Sequence, residues 1–158
     1  MHMDDFLENI TQKALKKAQE AAKNGEIPVA AAVFRSADKQ ILSLCANRTQ
    51  TDKNPTAHAE MLALQEACAC VQSAFLNDCD LYVTLEPCPM CAAAIGFARI
   101  RRLYFGAYDV KSGGVEHGPQ IYRSSSCHYA PEVYGGFAQK ESEQLLKDFF
   151  NNLRRQNA

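Results

Sequence analysis

Two short stretches of the chain contain residue types that bind transition metals. The first is Thr-Ala-His-Ala-Glu at residues 56–60, and the second is Pro-Cys-Pro-Met-Cys at residues 87–91. Cys88 and Cys91 are three residues apart at a predicted helix start, so both sulfurs point the same way. Free N–H groups and the helix dipole at that position favour thiolates. Together with the imidazole of His58, these ligands predict a Zn2+ ion, one per subunit.

Three protein ligands leave the fourth position of a tetrahedral zinc ion open, as in catalytic sites. Glu60 lies two residues after His58 and is predicted to be a neighbour of the ion that need not be a ligand. Zinc lowers the pKa of a bound water to about 7, and a nearby carboxylate can take its proton and return it elsewhere. This combination, a known signature of zinc deaminases, fits hydrolytic deamination of an amidine-like ring carbon with Glu60 as catalytic residue.

Other interpretations of these residues remain open at this stage. A Cys-x-x-Cys pair alone is also typical of a redox pair or of half a structural zinc site. A structural site would need a fourth Cys or His, and the candidates are His117, Cys127 and His128. A non-enzymatic, zinc-stabilised binding module is therefore one alternative to an enzyme.

The composition is that of an ordinary soluble globular protein, with 47% hydrophobic and 22% charged residues in 158. We expect one domain spanning residues 1–158, because no linker or repeat divides the chain. The start of the chain lacks the features of a secretory signal, and no apolar run is long enough to cross a membrane. Seven cysteines, an odd number, argue against a disulfide framework. A cytoplasmic location fits best. The net charge of −1 does not indicate a nucleic-acid-binding protein, although basic clusters can act locally.

Helical and strand patterns alternate along the chain. Helices are predicted at residues 4–23, at 57–71 with Thr56 as its cap, at 89–98 and at 139–154. Strands are predicted at residues 29–34, 41–46, 81–85, 102–107 and 132–134. The first two strands form a hairpin. Strands interleaved with helices predict an α/β sandwich with a mixed sheet.

The chain resembles the cytidine/deoxycytidylate deaminase superfamily at His58-Ala59-Glu60 and at residues 87–91. From about residue 6 to 155 it is more narrowly similar to bacterial tRNA-specific adenosine deaminases. The narrower similarity rests on these segments: Glu26-Ile27-Pro28-Val29, Asn47-Arg48, residues 81–86, Ala98-Arg99-Ile100, Phe105-Gly106-Ala107 and Phe149-Phe150. The resemblance implies a three-layer α/β/α sandwich around a five-stranded mixed sheet.

The same resemblance implies an activity, a partner and further site residues. The activity is conversion of adenosine to inosine at the wobble position of an arginine tRNA, by a homodimer whose two subunits build each active site. Asn47 would hydrogen-bond the target base. The residues that would lie beside the flanking nucleotides are Asp109, Lys111, Phe150 and Arg154. An aromatic ring with nearby cations suits a base that is splayed out of an anticodon loop.

A second enzymatic hypothesis is the same deamination reaction on a small-molecule substrate instead of RNA. A free nucleobase, nucleoside or nucleotide such as guanine, cytosine or deoxycytidylate would need a closed pocket and would bind with little dependence on salt. An enzyme acting on RNA should bind its substrate less tightly as salt rises.

Overall fold

The computed structural model describes residues 3–158; residues 1 and 2, which belong to the start that lacks the features of a secretory signal, lie outside it. Its elements in chain order are α1 (Met3–Lys23), β1 (Ala30–Arg35), β2 (Ile41–Ala46), α2 (Ala59–Val71), β3 (Cys79–Leu85), α3 (Pro89–Phe97), β4 (Arg102–Ala107), a short 3-10 helix (Ile121–Arg123), β5 (Glu132–Tyr134) and α4 (Gln139–Gln156). No helix among the described residues is both long and apolar enough to cross a membrane.

The five strands form one mixed sheet in the order β2-β1-β3-β4-β5. β1 is antiparallel to both β2 and β3, whereas β3, β4 and β5 are parallel to one another. Parallel neighbours need a crossover connection, and α3 provides the one between β3 and β4. The predicted α/β architecture with a five-stranded mixed sheet is confirmed.

Alternating residues of the central strands build two apolar layers, one on each face of the sheet. In β1, Ala31 and Val33 pack with α2 and α3, while Ala32 and Phe34 pack with α1 on the opposite face. This alternation follows from the two-residue repeat of a strand. Every residue of β3 except Leu85 is buried, as expected for a central strand covered on both faces.

The sheet brings the segments that carry the predicted site to one edge. Ala46 at the end of β2 pairs with Ala30 at the start of β1. Leu85 at the end of β3 pairs with Ala107 at the end of β4. Residues that follow β2, β3 and β4 therefore emerge together, and this edge is where a binding cleft can form.

The start of α2 differs from the prediction. Thr56 was predicted as its cap, but the helix begins at Ala59 and His58 occupies the N-cap position with an extended backbone. Thr56 instead belongs to a turn in which its backbone N–H and hydroxyl donate to Asn54 Oδ1 at 2.9 and 2.8 Å. An Asn side chain that bonds the backbone two residues on competes with helix formation, which explains the later start.

Candidate active site

The three predicted metal ligands converge from the starts of two helices. His58 is the N-cap of α2 and Cys88 is the N-cap of α3, with Pro89 at the first helical position. The imidazole of His58 makes no capping hydrogen bond to its own helix, and the Cys88 sulfur only faces the backbone N–H groups at the start of α3. Proline has no N–H to leave unpaired, so it suits that position. Both imidazole and sulfur are thus free to turn into the space between the helices.

The spacing of the donor atoms fits a tetrahedral zinc ion. His58 Nδ1 lies 3.6 Å from Cys88 Sγ and 3.5 Å from Cys91 Sγ. Zinc–sulfur and zinc–nitrogen bonds of standard length at a tetrahedral angle place sulfur and nitrogen about 3.5 Å apart. The residues present therefore fit the ion that the sequence predicts.

Among the described residues, this metal-binding cluster has three members and does not include the candidates for a fourth ligand. His117 points elsewhere, because its Nδ1 lies 2.8 Å from Glu86 Oε1. Cys127 and His128 line a different groove, next to Phe97 of α3. The arrangement matches a catalytic site with an open position better than a closed structural site.

The electrostatics of the cluster suit both metal binding and proton transfer. A hydrogen bond from Cys91, with backbone N–H groups and His58 nearby, lowers the pKa of Cys88 to about 5. Burial raises the pKa of Glu60 to about 7, and the negative charge of Cys88 adds to this effect. A carboxyl group that titrates near neutral pH can both accept and release a proton there.

An open cleft of about 610 Å³ contains His58, Glu60 and Cys88. All five predicted substrate-binding residues line the same cleft: Asn47, Asp109, Lys111, Phe150 and Arg154. They come from three separate regions, namely the end of β2, the segment after β4, and α4. The sheet edge described above brings the first two regions together.

Among the residues that line the cleft, Asn47 is buried, while the cationic and aromatic residues are exposed. Asn47 is 7% exposed, and its Nδ2 is 3.5 Å from Thr49 Oγ1, a long contact that leaves the amide able to bind another group. Lys111 and Arg154 are exposed, and Phe150 is 39% exposed. The cleft therefore combines a polar interior with a cationic, partly aromatic rim.

Two residues that shape the cleft escaped assignment from the sequence. Glu26 is buried and accepts hydrogen bonds from the backbone N–H groups of Gln50 and Thr51, in the segment that follows Asn47. Glu86 is buried and accepts hydrogen bonds from the backbone N–H groups of Asp109 and of residues 115–117. Burial opposes ionisation of Glu86, but bonds from His117 and the backbone hold its pKa below the usual value. In the sequence, each of these glutamates lies next to a proline-containing motif, and this position was the signal that could have identified them.

Comparison with known proteins agrees with this geometry. Residues 4–107 match the family model for the cytidine and deoxycytidylate deaminase zinc-binding region. The matched region includes the three metal ligands, Glu60 and Asn47. The chain therefore belongs to the cytidine and deoxycytidylate deaminase family and is a hydrolytic deaminase.

Individual relatives narrow the comparison. The chain is 45% identical over 141 residues to the tRNA-specific adenosine deaminase of Agrobacterium fabrum, covering 89% of this chain and 91% of that protein. A solved structure from a study of A-to-I editing by tRNA:A34 deaminases at the wobble position has a TM-score of 0.83 and 45% identity, covering 86% and 97% of the two chains. The guanine deaminase of Bacillus subtilis is 34% identical, with a TM-score of 0.60 and coverage of 68% and 66%.

Proposed function

We propose that this enzyme converts adenosine to inosine at the wobble position of an arginine tRNA, in a zinc-dependent reaction carried out by one domain spanning residues 1–158 in the cytoplasm. The observation that carries the proposal is the joining, in one open cleft, of a three-ligand metal cluster, a buried glutamate and a cationic rim. The relatives named as tRNA-specific adenosine deaminases, which match most of the chain, support the same substrate.

The chemistry follows from the residues at the base of the cleft. His58, Cys88 and Cys91 would hold zinc, which supplies a water whose pKa is lowered to about 7. Glu60 takes a proton as the water oxygen adds to the amine-bearing ring carbon, and it gives this proton to the ring nitrogen. A second proton leaves the new hydroxyl and returns through Glu60 to the amino group. Ammonia then departs and the ring carbonyl of inosine remains.

Asn47 and the rim would decide which base reaches Glu60. The Asn47 amide offers both a donor and an acceptor to the edge of the base, which an apolar wall cannot do. Phe150 can stack on a base next to the target, while Lys111 and Arg154 attract the phosphates around it. A negative overall charge does not oppose this, because Lys111 and Arg154 are exposed at the cleft whereas two of its carboxylates, Glu60 and Glu86, are buried.

We also propose a homodimer formed through a surface that we call the α3 patch, namely Phe75, Phe97, Arg99 and Tyr129. Phe97 is 78% exposed and Phe75 48% exposed, and they border a groove of about 380 Å³. Exposed apolar surface of this kind marks interaction sites in soluble proteins. A second copy of this chain is the proposed partner, because Phe97 ends α3, the helix capped by Cys88, so association through the patch would place α3 of both copies at the interface.

A substrate comparison tests the proposed activity. The zinc-loaded protein is incubated with an arginine anticodon stem-loop carrying a wobble adenosine, and inosine is measured by mass spectrometry at two salt concentrations. The same stem-loop with an unpaired stem is the matched control. We expect inosine in the intact stem-loop and weaker binding at higher salt. No inosine there, with ammonia released from free bases, would reject the proposal.

The second candidate is deamination of a free base, favoured by the similarity to a guanine deaminase. The open cleft argues against it, because small-molecule sites usually enclose most of their ligand. Free guanine, cytosine, adenosine and deoxycytidylate are therefore assayed alongside the RNA. Turnover of one of these at a rate above that of the stem-loop would favour this candidate.

A further inference from the structure

The Glu86 carboxylate, directly after β3, makes an unusual number of hydrogen bonds to one loop. Its Oε1 accepts from the backbone N–H of Asp109 at 3.1 Å. Its Oε2 accepts from the backbone N–H groups of Val115, Glu116 and His117 at 3.3, 3.0 and 3.1 Å. The ring of His117 adds a contact of 2.8 Å to Oε1. Both ends of residues 109–117, which we call the cleft loop, are thus fastened to one side chain.

The cleft loop carries side chains that face the proposed substrate. Asp109, Lys111 and Ser112 line the cleft together with Glu60 and His58. Asp109 Oδ1 accepts the backbone N–H of Ser112 at 2.9 Å, so the loop is also bonded within itself. The positions of Asp109 and Lys111 therefore depend on where the ends of the loop are held.

Two glycines show how closely the cleft loop fits around this carboxylate. A Cβ atom on Gly113 would collide with Glu86 Oε2 and with the Asp109 carbonyl. A Cβ atom on Gly114 would lie 2.5 Å from the backbone nitrogen of Pro89, at the start of α3. The loop backbone is therefore packed directly against the carboxylate and against the helix that carries Cys91.

We propose that Glu86 is a positioning residue for substrate recognition, whose buried carboxylate fixes the cleft loop so that Asp109 and Lys111 face the nucleotides next to the target base. This role rests on the proposed function, since it concerns an extended nucleic-acid substrate. It is separate from the chemistry, because Glu86 bonds the backbone and the His117 ring of the loop, whereas the proposed proton carrier is Glu60.

Asp80, at the other end of the same strand, provides a matched comparison. Its side chain is also fully buried, and Arg101 donates two hydrogen bonds to it at 3.0 and 2.8 Å. Asp80 lines no part of the cleft. Loss of Asp80 should weaken the fold without moving the cleft loop, whereas loss of Glu86 should release the loop. The contrast separates a positioning role from a purely structural one.

Hydrogen exchange measures the loop directly, without any substrate. We compare Glu86→Gln with Asp80→Asn in the zinc-loaded protein, since each replaces a buried carboxylate by an amide of the same size. In Glu86→Gln the amide nitrogen cannot accept the loop N–H groups. We expect exchange at residues 109–117 to be at least roughly tenfold faster in Glu86→Gln. This is the change that corresponds to losing about one hydrogen bond to a charged group. Asp80→Asn should leave exchange there unchanged, and zinc content should stay at the wild-type level in both.

A coupling experiment connects the loop to recognition. With the anticodon stem-loop, Glu86→Gln should raise KM by roughly 10- to 100-fold and change kcat little, because Glu60 and the metal ligands are retained. Lys111→Ala should cost less in the Glu86→Gln background than alone, since the lysine is already displaced. In the Asp80→Asn background the cost of Lys111→Ala should be unchanged.

Several results would overturn this role. The positioning role of Glu86 would be rejected if Glu86→Gln left hydrogen exchange at residues 109–117 unchanged. It would also be rejected if the substitution affected only zinc content or kcat. If Glu86→Gln does not fold, Gly113→Ala disturbs the same contact from the loop side and is measured in the same way, and its failure to speed exchange would also reject the role. If the wild-type protein makes no inosine, the proposed function is rejected instead. The exchange experiment would still test whether Glu86 holds the cleft loop, because it needs no substrate.

Discussion

His58 presents Nδ1, the ring nitrogen nearer the backbone, to the two sulfurs. A histidine at an N-cap reaches only a short distance beyond its helix, so the nearer nitrogen suits a metal held close to the helix start. The extended backbone of His58, with ψ at 152°, turns the side chain out of the helical path. The ligand geometry therefore depends on α2 beginning one residue after His58.

Replacement of Cys88 tests the ligand assignment. Cys88→Ala removes one of three donors, and we expect zinc content measured by atomic absorption to fall far below one ion per chain. Cys70→Ala is the matched control, because Cys70 is an exposed cysteine on α2. Normal zinc content in Cys88→Ala would contradict the assignment.

Replacement of Glu60 separates metal binding from proton transfer. Glu60→Gln keeps the three ligands and the side-chain volume but removes the proton carrier. We expect kcat to fall roughly 100- to 10,000-fold with zinc content and melting temperature close to wild type. Glu66→Gln, on the same helix and bonded to Cys45 instead, should keep normal turnover. A kcat of Glu60→Gln equal to that of wild type would contradict the proton-transfer role of Glu60.

At the scale of elements, sequence patterns predicted the positions of most helices and strands, because these depend on neighbouring residues. Two short β-rich runs on either side of a polar turn located β1 and β2, and the apolar run bounded by Glu86-Pro87 located β3. The cleft loop was not predictable in the same way, because the side chain that holds it lies 23 to 31 residues earlier in the chain. The metal ligands were predicted because each depends on a helix start that the sequence marks nearby.

The segment after Asn47 is held by Glu26 much as the cleft loop is held by Glu86. Burial raises the pKa of Glu26, but hydrogen bonds from Thr51 and Gln50 outweigh this effect and hold the pKa below the usual value of a glutamate. A carboxyl group with a lowered pKa in the folded state stabilises the fold above its unfolded pKa. This contribution is lost as pH falls through the folded pKa.

We therefore expect Glu26→Gln to be less stable than wild type by about 1–2 kcal/mol at pH 7, because two backbone N–H groups lose a charged acceptor. The difference should shrink as pH is lowered from 5 toward 3. Urea unfolding at each pH measures it. Glu20→Gln, an exposed carboxylate of α1, is the control and should show little change at any pH. A constant difference across this pH range would contradict the ionised role of Glu26.

At the scale of the whole molecule, α3 connects the cleft to the α3 patch: Cys88 lines the cleft at the start of this helix, and Phe97 lies in the patch at its end. A charge in the patch should therefore prevent association. We expect Phe97→Asp to be monomeric in analytical ultracentrifugation at concentrations where wild type is a dimer, because a charge on the buried side of an interface is costly. Gln19→Asp, on the exposed face of α1, should remain dimeric. A monomeric wild-type protein would reject the proposed interface.

The distribution of the cleft residues along the chain has a consequence for how this scaffold changes substrate. Everything assigned to metal binding and proton transfer precedes the end of β4, whereas Asp109, Lys111, Phe150 and Arg154 all follow it. The residues proposed for catalysis, together with Asn47 for the target base, therefore lie before the residues proposed to contact the flanking nucleotides. Exchange of the portion from residue 108 onward between family members should therefore change the contacts to flanking nucleotides and leave the metal ligands, Glu60 and Asn47 in place, provided that the recipient retains an acidic residue equivalent to Glu86.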